Sequence, residues 1–342
     1  MRYLVAMSGG VDSSAAALVL KEAGHYVEGA IMLLSPSDDG SGVTSARAVC
    51  DVLGIKLNVL DMRKEFEESV IKPFCGQYLD CKTPNPCIFC NNKLKFGAFL
   101  DHALASGFDG IATGHYARIV EKNGRYAVAA AESAEKDQSY FLWDLPQEAL
   151  SKTVFPLGEM KSKDEVRELA GKAGLPSFSR SDSQDICFVK NGEYAQFITG
   201  YTGIKQPEGD FVDENGKALG RHNGLLNYTI GQRRYLNVAA GKRIFVLSKD
   251  AEKNEVVLGD GDGLYRSVIN AEKVRLQLYD KIDENRKYDV KIRYGKKTCP
   301  AYIKSNGDKA EITFDTPQRA PAPGQSVVFY DGNTVVGGGF IC

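Results

Sequence analysis

The sequence predicts an α/β fold in which a doubly wound parallel sheet is followed by two small β-rich domains, the last of them a β-barrel. The chain has 342 residues, of which 43% are hydrophobic, so it is longer than one ordinary domain and can bury a sizeable core. Apolar runs alternate with amphipathic stretches in the first part, whereas short strands separated by Gly, Asn and Asp turns follow from about residue 199. We therefore predict three domains, at residues 1–198, 199–266 and 267–342.

The first domain shows strand, helix, strand, helix and strand in that order. The predicted elements are residues 3–7, 12–23, 27–34, 43–53 and 57–62. A fourth strand is predicted at 110–113, and another amphipathic helix at 162–173. This order predicts parallel strands, and ligands bind at the carboxyl ends of such strands. The candidate site is therefore expected where these strands end.

The remainder of the chain is predicted to be mainly β structure. Residues 209–216 are rich in turn formers, and residues 290–294 and 326–330 are typical of strands in a small barrel or sandwich. Before this part, aromatic and aliphatic residues recur at helical spacing, which predicts core packing and not a base-stacking surface. They are Tyr194, Phe197, Ile198 and Tyr201.

Composition limits the classes of function. No apolar run approaches the roughly 18 to 20 residues that span a bilayer, so we expect a cytoplasmic protein with no membrane partner. Eight unevenly spaced cysteines are too sparse for a disulfide scaffold and indicate reduced thiols, a few of them chemically active. The net charge is −1, but residues 1–198 carry 21 basic against 26 acidic residues, and residues 199–342 carry 22 against 18. A nucleic-acid contact should therefore be local and use the second part.

A glycine-rich turn, Ser-Gly-Gly-Val-Asp-Ser-Ser at residues 8–14, joins the first strand to the first helix. Two glycines permit a tight turn, and successive N–H groups at a helix start can bind phosphate oxygens. The turn lacks the Gly-Lys-Ser/Thr ending of the Walker A loop, so it does not suggest ordinary γ-phosphoryl transfer. Mg²⁺ would neutralise a bound pyrophosphate, with Asp12 as a candidate ligand. The alternative is a plain turn in which Ser13 or Ser14 caps the helix.

Two thiols three positions apart, Cys87 and Cys90, follow two prolines in residues 83–93. The segment opens a predicted helix, and the helix dipole should lower the pKa of Cys90 enough to give an appreciable thiolate at neutral pH. A third thiol, Cys187, lies far away in the sequence. Together these thiols predict redox or sulfur chemistry.

The turn at residues 8–14 resembles the PP-loop of ATP pyrophosphatases, which cleave ATP between its α and β phosphates and adenylate a substrate oxygen. Five further motifs narrow the resemblance to the tRNA-specific 2-thiouridylases, the MnmA/TrmU family. These motifs are residues 83–93, 112–118, 136–142, 182–188 and 231–234. The resemblance implies 2-thiolation of the wobble uridine of tRNA, in which ATP adenylates the C2 oxygen and sulfur then displaces AMP.

The resemblance also implies roles for individual residues. Cys90 would attack or support the activated base, Cys187 would receive persulfide sulfur, and the two could close into a disulfide. The residues expected to hold ATP are Ala6, Met7, Ser8, Gly9, Gly10, Val11, Asp12, Ser13, Met32 and Gly114. Those expected to meet the target base or the rest of the tRNA are Asn85, Pro86, Cys87, Lys136, Asp137, Gln138, Arg293 and Tyr294. The implied partners of a monomer are tRNA and a sulfur donor, either a persulfide-carrier protein or a cysteine desulfurase, with ATP and Mg²⁺ as cofactors.

One position departs from the family pattern. Many members have Asp where this chain has Cys87, so a carboxylate that could act as general acid or base is absent. Either another group or a water replaces it, or Cys87, Cys90 and Cys187 ligate a [4Fe–4S] cluster with one open iron for sulfide, as proposed for the Cys-x-x-Cys subset of the family. Three thiolates with an unoccupied fourth position suit that role.

Other interpretations of single residues stay open. Cys75 and Cys81 could join Cys87 and Cys90 in a structural zinc site, although this leaves Cys187 unexplained. His115 follows the fourth strand, which suits either the nucleotide site or a structural histidine. No role is predicted for Cys50, Cys299 and Cys342.

The motif at residues 231–234 continues into Tyr235, and its Arg233 and Arg234 suit phosphate and stacking contacts with RNA or belong to an ordinary exposed hairpin. Three other functions are alternatives: a PP-loop ligase for a small molecule, a non-catalytic RNA-binding or redox-sensing protein, and thiolation of another tRNA position. The first would need an ammonia-supplying partner domain, for which the chain shows no nucleophile motif. The intact loop with three thiols argues against the second.

Overall fold

The computed structural model describes residues 1–35, 40–176, 186–189, 192–239, 241–295 and 297–342. These residues form a parallel sheet flanked by helices, a four-stranded sheet, and a larger sheet that closes into a barrel. The predicted fold class is therefore confirmed. No helix within the described ranges is long and apolar enough to cross a membrane. Of the motif at 182–188, residues 182–185 lie outside the described part.

The N-terminal part alternates strands and helices, as predicted. Its elements are β1 (Arg2–Met7), α1 (Val11–Glu22), β2 (Tyr26–Leu33), α2 (Ser41–Leu53), β3 (Leu57–Asp61), α3 (Arg63–Phe66), α4 (Lys72–Leu79), α5 (Pro86–Phe89), α6 (Phe99–Ala105), β4 (Gly110–Ala112), β5 (Ala117–Lys122), β6 (Arg125–Ala130), α7 (Gln147–Ser151), β7 (Thr153–Val154), α8 (Lys163–Lys172) and α9 (Tyr194–Thr202). Two π-helical segments, Glu67–Ile71 and Cys90–Ala98, join α3 to α4 and α5 to α6. The predicted elements are confirmed, with ends that differ by one or two residues.

The parallel sheet has the strand order β3-β2-β1-β4-β7, and every neighbouring pair is parallel. The central strand β1 is apolar because both faces of it are covered, and Leu4 and Val5 are almost fully buried. Three consecutive alanines let α1 pack closely against the sheet; Ala15, Ala16 and Ala17 are each 0% exposed. The carboxyl ends of β1, β2 and β4 meet at one edge, which is where the candidate site was expected.

The second part consists of two sheets. The four-stranded sheet contains β8 (Gly209–Val212), β9 (Ala218–His222), β10 (Phe245–Asp250) and β11 (Glu255–Gly259). The barrel contains β12 (Tyr265–Leu276), β13 (Lys287–Lys291), β14 (Cys299–Asn306), β15 (Lys309–Arg319), β16 (Ser326–Asp331) and β17 (Thr334–Ile341). Pairing of β12 with β17 closes it. The strand predicted at 290–294 ends at Lys291, and Arg293 and Tyr294 lie in the turn that follows.

The barrel and the N-terminal part are joined in a way that the sequence did not predict. The hairpin β5–β6 extends the barrel sheet through pairing of Thr334 with Ala129. The Trp143 Nε1–H donates to Ser326 Oγ at 2.9 Å, and the Tyr140 hydroxyl donates to the Ser326 carbonyl at 2.8 Å. Because both rings are buried in a core that also includes barrel residues, the two parts are packed as one body.

The packing expected of α9 is confirmed for its inner face only. Ile198 is fully buried, and Tyr194 and Phe197 pack beside Phe74. Tyr201 does not belong to the core: it is 37% exposed, and its hydroxyl donates to Glu67 Oε1 at 2.8 Å. The helix ends at Gly203, so its last turn already lies at the surface.

Gln277 of β12 gives a test of the junction between barrel and N-terminal part. Its Nε2 donates to the carbonyls of Leu142 at 2.8 Å and Trp143 at 2.9 Å, and its Oε1 accepts the Val128 N–H at 3.0 Å. Gln277→Met would leave these buried backbone groups unpaired, so we expect the free energy of unfolding in urea to fall by about 2–4 kcal/mol.

The matched control is Gln318→Met in β15, since that amide makes one local hydrogen bond, to the Thr316 carbonyl at 2.8 Å. It should change the unfolding midpoint little. Equal small effects of the two substitutions would contradict the role assigned to Gln277.

Candidate functional site

The phosphate loop, residues 8–14, leaves the end of β1 and turns directly into α1. Gly9 has φ 73°, a left-handed conformation that favours glycine. The Ser13 hydroxyl accepts the Ser8 N–H at 3.1 Å and donates to the Gly10 carbonyl at 3.1 Å, which fixes the turn. Ser14 also donates to the Gly10 carbonyl, at 2.8 Å, so neither serine caps the helix as the alternative required. Gly10 is the N-cap and has no capping side chain, which suits the first turn to an anion.

A cavity of about 500 Å³ lies at the carboxyl ends of β1, β2 and β4. Seven of the predicted nucleotide-site residues line it: Ala6, Met7, Ser8, Asp12, Ser13, Met32 and Gly114. The other three differ in position, since Gly9 and Gly10 form the loop itself and the Val11 side chain is buried in the core. Lys95, His115, Gln138 and Cys187 also line the cavity. One cavity therefore contains the phosphate loop and one of the predicted thiols.

Gly114 has no room for a side chain. A Cβ atom at this position would lie 2.7 Å from the carbonyl carbon of Asp12 and 2.8 Å from the backbone nitrogen of Ser13. The turn after β4 therefore packs directly against the start of α1. This contact brings the next residue, His115, to the cavity wall.

Asp12 is held by two side chains from other elements. Lys163, the first residue of α8, donates from Nζ to the two carboxylate oxygens at 2.8 and 2.6 Å, and the Tyr116 hydroxyl donates to Oδ1 at 2.7 Å. The Lys163 side chain is 7% exposed and that of Asp12 is 32% exposed. Asp12 therefore links the phosphate loop to α8, in addition to facing the cavity.

The Cys87–Cys90 segment begins α5 as predicted. Asn85 is the N-cap, and its Oδ1 accepts the Cys87 N–H at 3.1 Å. Cys90 starts the π-helical segment, about one turn inside the helix, and is 8% exposed. The predicted lowering of its pKa is wrong, because burial raises the pKa of the Cys90 thiol and the charge of Lys95 opposes this only in part. Burial also raises the pKa of Cys87.

Cys187 is exposed at the edge of the cavity. Loss of solvent around its sulfur, together with the neighbouring Cys90 and Cys87 thiols, raises its pKa to about 11. The structure therefore brings the three predicted thiols close enough to influence each other's pKa, although Cys90 and Cys187 are 97 positions apart in the sequence. All three are free thiols here, so the disulfide is not formed.

These donors do not fit a metal centre as they are arranged. In the described ranges, no three His, Cys, Asp or Glu side chains come together in a group that could hold a metal ion. This applies both to the cluster set Cys87, Cys90 and Cys187 and to the zinc set that would add Cys75 and Cys81. Cys75 lies instead in the hydrophobic core, where burial raises its pKa to about 11.

His115 belongs to the cavity as a neutral side chain. Burial and the nearby charge of Lys95 lower its pKa well below the ordinary value. Its Nδ1 lies 2.7 Å from Thr113 Oγ1, and its ring packs between Phe96 and Phe155. His115 lines the cavity and is also fixed by structural contacts, so its role at the nucleotide site stays a prediction.

The three residues of the segment 136–138, which is predicted to contact tRNA, lie in different environments. Asp137 is buried: its Oδ1 accepts the N–H groups of Ala131 at 3.2 Å and Ser139 at 3.1 Å. Gln138 lines the cavity, and its Oε1 accepts the Tyr116 N–H at 2.9 Å. These contacts suit Asp137 to shaping the loop, while Lys136 and Gln138 lie where a substrate can reach them. The predicted tRNA contacts themselves stay predictions.

Arg293 and Tyr294 reach the same region from the barrel. The Tyr294 ring lies 4.5 Å from the Phe141 ring, between centroids, and remains 47% exposed. The Arg293 guanidinium donates to the Ala320 carbonyl. Tyr294 therefore packs from the barrel against Tyr140 and Phe141, which directly follow the segment 136–139 in the chain.

The barrel also holds the loop that leads to Cys87, which sequence reasoning did not find. The Thr83 N–H donates to the Pro323 carbonyl at 2.7 Å, and Gln325 Nε2 donates to the Thr83 carbonyl at 2.7 Å. Gly324 packs so tightly here that a Cβ atom would lie 3.1 Å from the Thr83 nitrogen. The approach to the thiols is therefore fixed by three consecutive barrel residues.

A basic loop, defined here by residues 233–239 and 241–243, lines a second, more open cavity of about 820 Å³ on the four-stranded-sheet domain. Arg233, Lys242 and Arg243 line it together with Tyr235, whose side chain is 83% exposed. Arg234 is exposed beside them. Four cations around an exposed aromatic ring suit a phosphate backbone with unstacked bases.

Sequence reasoning missed two lysines of the main cavity region, Lys95 and Lys163. For Lys163 a signal existed: a lysine in the first turn of a helix opposes the helix dipole, so a buried one needs a carboxylate partner. For Lys95 the sequence carries no comparable signal, because its placement depends on the π-helical segment.

Comparisons with known proteins cover the whole chain. Residues 1–191 match the family described as "tRNA methyl transferase HUP domain", residues 195–260 the "tRNA methyl transferase PRC-barrel domain", and residues 266–341 the "Aminomethyltransferase beta-barrel domain". A "tRNA-specific 2-thiouridylase MnmA" of Clostridium acetobutylicum is 44% identical over 99% of this chain and 99% of its own length. The protein of the same name from Treponema denticola is 43% identical over 100% of this chain and 98% of its own.

Among solved structures, a 4-thiouridine synthetase in complex with RNA and ATP is similar over 54% of this chain and 44% of its own. Its sequence identity is 20% and its TM-score 0.39.

The Asp12–Lys163 pair gives a test of the site. Asp12→Asn removes the charge that faces a buried ammonium, so we expect the free energy of unfolding to fall by about 1–3 kcal/mol, below the value for a fully buried pair because Asp12 is partly exposed. We also expect loss of ATP-dependent pyrophosphate release. Urea denaturation and a pyrophosphate assay with tRNA measure the two effects.

The control is Lys172→Met on the same helix, which breaks only the surface pair with Glu168 at 2.7 Å and should leave both measurements unchanged. Unaltered pyrophosphate release in Asp12→Asn would refute the role of Asp12 in adenylation.

Proposed function

This chain belongs to the tRNA-specific 2-thiouridylase family, and from this we propose that it is a tRNA-uridine 2-sulfurtransferase that thiolates the wobble uridine in the cytoplasm at the expense of ATP. The observation that carries the proposal is the single cavity that contains the phosphate loop and Cys187, with Cys87 and Cys90 close enough to shift the pKa of Cys187. ATP cleavage and sulfur delivery can then occur on one substrate without release.

The first chemical step is adenylation. The C2 oxygen of the uridine attacks the α phosphorus of ATP, pyrophosphate leaves, and the poor leaving oxygen becomes part of an AMP ester. The first-turn N–H groups of α1 are placed to bind the departing pyrophosphate. Mg²⁺ would neutralise charge on the phosphates, and Asp12, whose oxygens accept hydrogen bonds from Lys163 and Tyr116, would be its candidate ligand.

The second step is sulfur transfer. The terminal sulfur of a persulfide on Cys187 attacks C2, the bond from C2 to oxygen breaks, and AMP leaves with the electron pair. The Cys90 thiolate then attacks the inner sulfur of Cys187, which releases 2-thiouridine and leaves a Cys90–Cys187 disulfide for a thiol reductant. A persulfide-carrier protein or a cysteine desulfurase supplies the sulfur.

The raised pKa values of the thiols have a consequence for this step. In the free protein the pKa of Cys187 is raised to about 11 and that of Cys90 is raised as well, so both are protonated at neutral pH. Attack by Cys90 therefore requires loss of a proton after the substrate has bound. Cys87 stands where many family members have a carboxylate, so a water or another group that lines the cavity accepts this proton; His115 is a weak base because its pKa is lowered.

The decisive assay is 2-thiouridine formation on unmodified tRNA with ATP, comparing persulfide with sulfide as the donor and iron-reconstituted with chelator-treated protein. We expect chelator-treated protein to be active with the persulfide donor, because the thiols within the described ranges are not grouped as metal ligands. Activity confined to the iron-loaded protein would favour the cluster route. ATP cleavage with no thiouridine in any condition would favour a PP-loop ligase for another substrate.

Cys187→Ser tests the sulfur carrier. We expect thiouridine formation to fall below detection, because serine cannot form a persulfide, while the affinity for ATP stays within about twofold because serine is only slightly smaller and is uncharged. Cys342→Ser, a change at another exposed thiol, is the matched control and should retain full activity. Full activity of Cys187→Ser would remove the carrier role.

Substitutions in the basic loop test the proposed contact with tRNA. Replacing Arg233 and Arg234 together by Gln should weaken tRNA binding and reduce the slope of log K against log salt by about 1 for each arginine–phosphate ion pair that the substitution removes. Filter binding at several salt concentrations gives this slope. The control is the replacement of Lys161 and Lys172, two exposed lysines at the ends of the α8 region, by Gln. If the loop variant and wild type gave the same slope, the tRNA would bind elsewhere.

A further inference from the structure

Lys95 occupies a position that depends on the unusual helix register. It lies five residues after Cys90, so in a regular α-helix the two side chains would point about 140° apart around the axis. Residues Cys90–Ala98 form a π-helical segment instead, which ends with the Phe99 N–H donating to the Leu94 carbonyl. In this register residues five apart lie on the same side, and such segments are frequent at functional sites. Lys95 is thereby turned into the cavity.

The charge of Lys95 is not neutralised by a neighbouring acid. In the part of the chain that the structure describes, no carboxylate forms an ion pair with its ammonium. The family's Asp, which could have supplied one nearby, is Cys87 in this chain. An unpaired ammonium in a partly enclosed cavity attracts an anion.

No other cation faces the cavity among the described residues that line it. His115 is the other basic side chain there, and its lowered pKa keeps it neutral. Lys163 lies behind Asp12 and does not line the cavity. Lys95 is therefore the positive charge available to a ligand between the phosphate loop and Cys187.

Lys95 lines the same cavity as the phosphate loop and Cys187, and its charge also acts on the nearby titratable side chains. Its charge acts on Cys87, Cys90, Cys187 and His115, in each case lowering the pKa. Of these four side chains, His115 and Cys187 also line the cavity. A nucleotide bound with its pyrophosphate at the phosphate loop would occupy the same cavity that Lys95 and Cys187 line.

We propose that Lys95 binds the phosphate of the adenylated substrate and holds this AMP ester between the phosphate loop and the thiols. This rests on the proposed function. Lysine binds phosphate as a compact point charge with three donors. Once pyrophosphate has left the loop, the phosphate of the ester still carries a negative charge, and Lys95 is the cation that remains beside it.

Lys95 then acts in sulfur transfer as a catalytic residue. When sulfur attacks C2, the bond from C2 to the ester oxygen breaks, and the electron pair moves onto AMP, which gains a negative charge. An ammonium already placed beside that phosphate stabilises the charge as it develops. No proton has to move in this step.

The test is nucleotide binding without tRNA, sulfur donor or Mg²⁺. Isothermal titration calorimetry compares AMP with adenosine, which differ in the phosphate, for wild type, Lys95→Met and Lys95→Arg. We expect wild type to bind AMP more tightly than adenosine, and Lys95→Met to lose about 10- to 100-fold in AMP affinity, since a charge-assisted hydrogen bond is removed. Adenosine affinity should not change, and Lys95→Arg should retain most of the AMP affinity.

The matched control is Lys93→Met, an exposed lysine in the same π-helical segment that does not line the cavity; it should bind both ligands as wild type does. An equal loss for AMP and adenosine in Lys95→Met would show a structural role and overturn the proposal, as would an unchanged AMP affinity. Because these measurements need no thiolation, failure of the thiouridine assay would leave an AMP-specific loss standing.

Discussion

The site depends on the close approach of the turn after β4 to the start of α1. The turn after β4 touches the start of α1 where residue 114 has no space for a Cβ atom, 2.7 Å from the Asp12 backbone. This contact fixes the phosphate loop from one side, and the hydroxyl of Ser13 fixes it from within. Tyr116, in the turn between β4 and β5, and Lys163 of α8 then secure Asp12. A larger residue at 114 would separate the elements that form the cavity floor.

The barrel has a second role beside any contact with tRNA. It pairs with the β5–β6 hairpin, accepts hydrogen bonds from Trp143 and Tyr140 at Ser326, and holds Thr83 in the loop that leads to Cys87. The loop carrying Cys87 is therefore positioned by residues more than 230 positions later in the chain, since Gln325 and Thr83 are 242 apart. Under the proposed function, tRNA binding at the barrel would be linked to the placement of Cys87 through these hydrogen bonds.

Much of the fold could be predicted from the sequence because periodicity and turn residues are local signals. The order of β1 to β3, the phosphate loop and the helix after Pro86 follow from such signals, and the structure contains them. Pairing between strands far apart in the sequence leaves no local signal, so the addition of the β5–β6 hairpin to the barrel sheet could not be predicted. The same applies to the site, where the motifs identified the thiols but not their burial. The helix dipole suggested a lowered pKa for Cys90, yet desolvation is the larger effect because the helix lies in the core. Lys95 could not be found because an α-helical register would point it elsewhere.

The charges in the cavity impose an order on the chemistry. Cys87 and Cys90 each raise the pKa of Cys187, so ionising one thiol makes ionisation of the next harder, and the site favours one sulfur anion at a time. Lys95 favours such an anion but, under the proposed assignment, is engaged by the adenylate phosphate until AMP leaves. The charge that stabilises the departing AMP thus becomes available to a Cys90 thiolate only after sulfur has been transferred. An early thiolate at Cys90, which could attack the persulfide before it reaches the base, is disfavoured for the same reason. The absence of a carboxylate at position 87 strengthens this coupling, because no fixed negative charge at that position competes for Lys95.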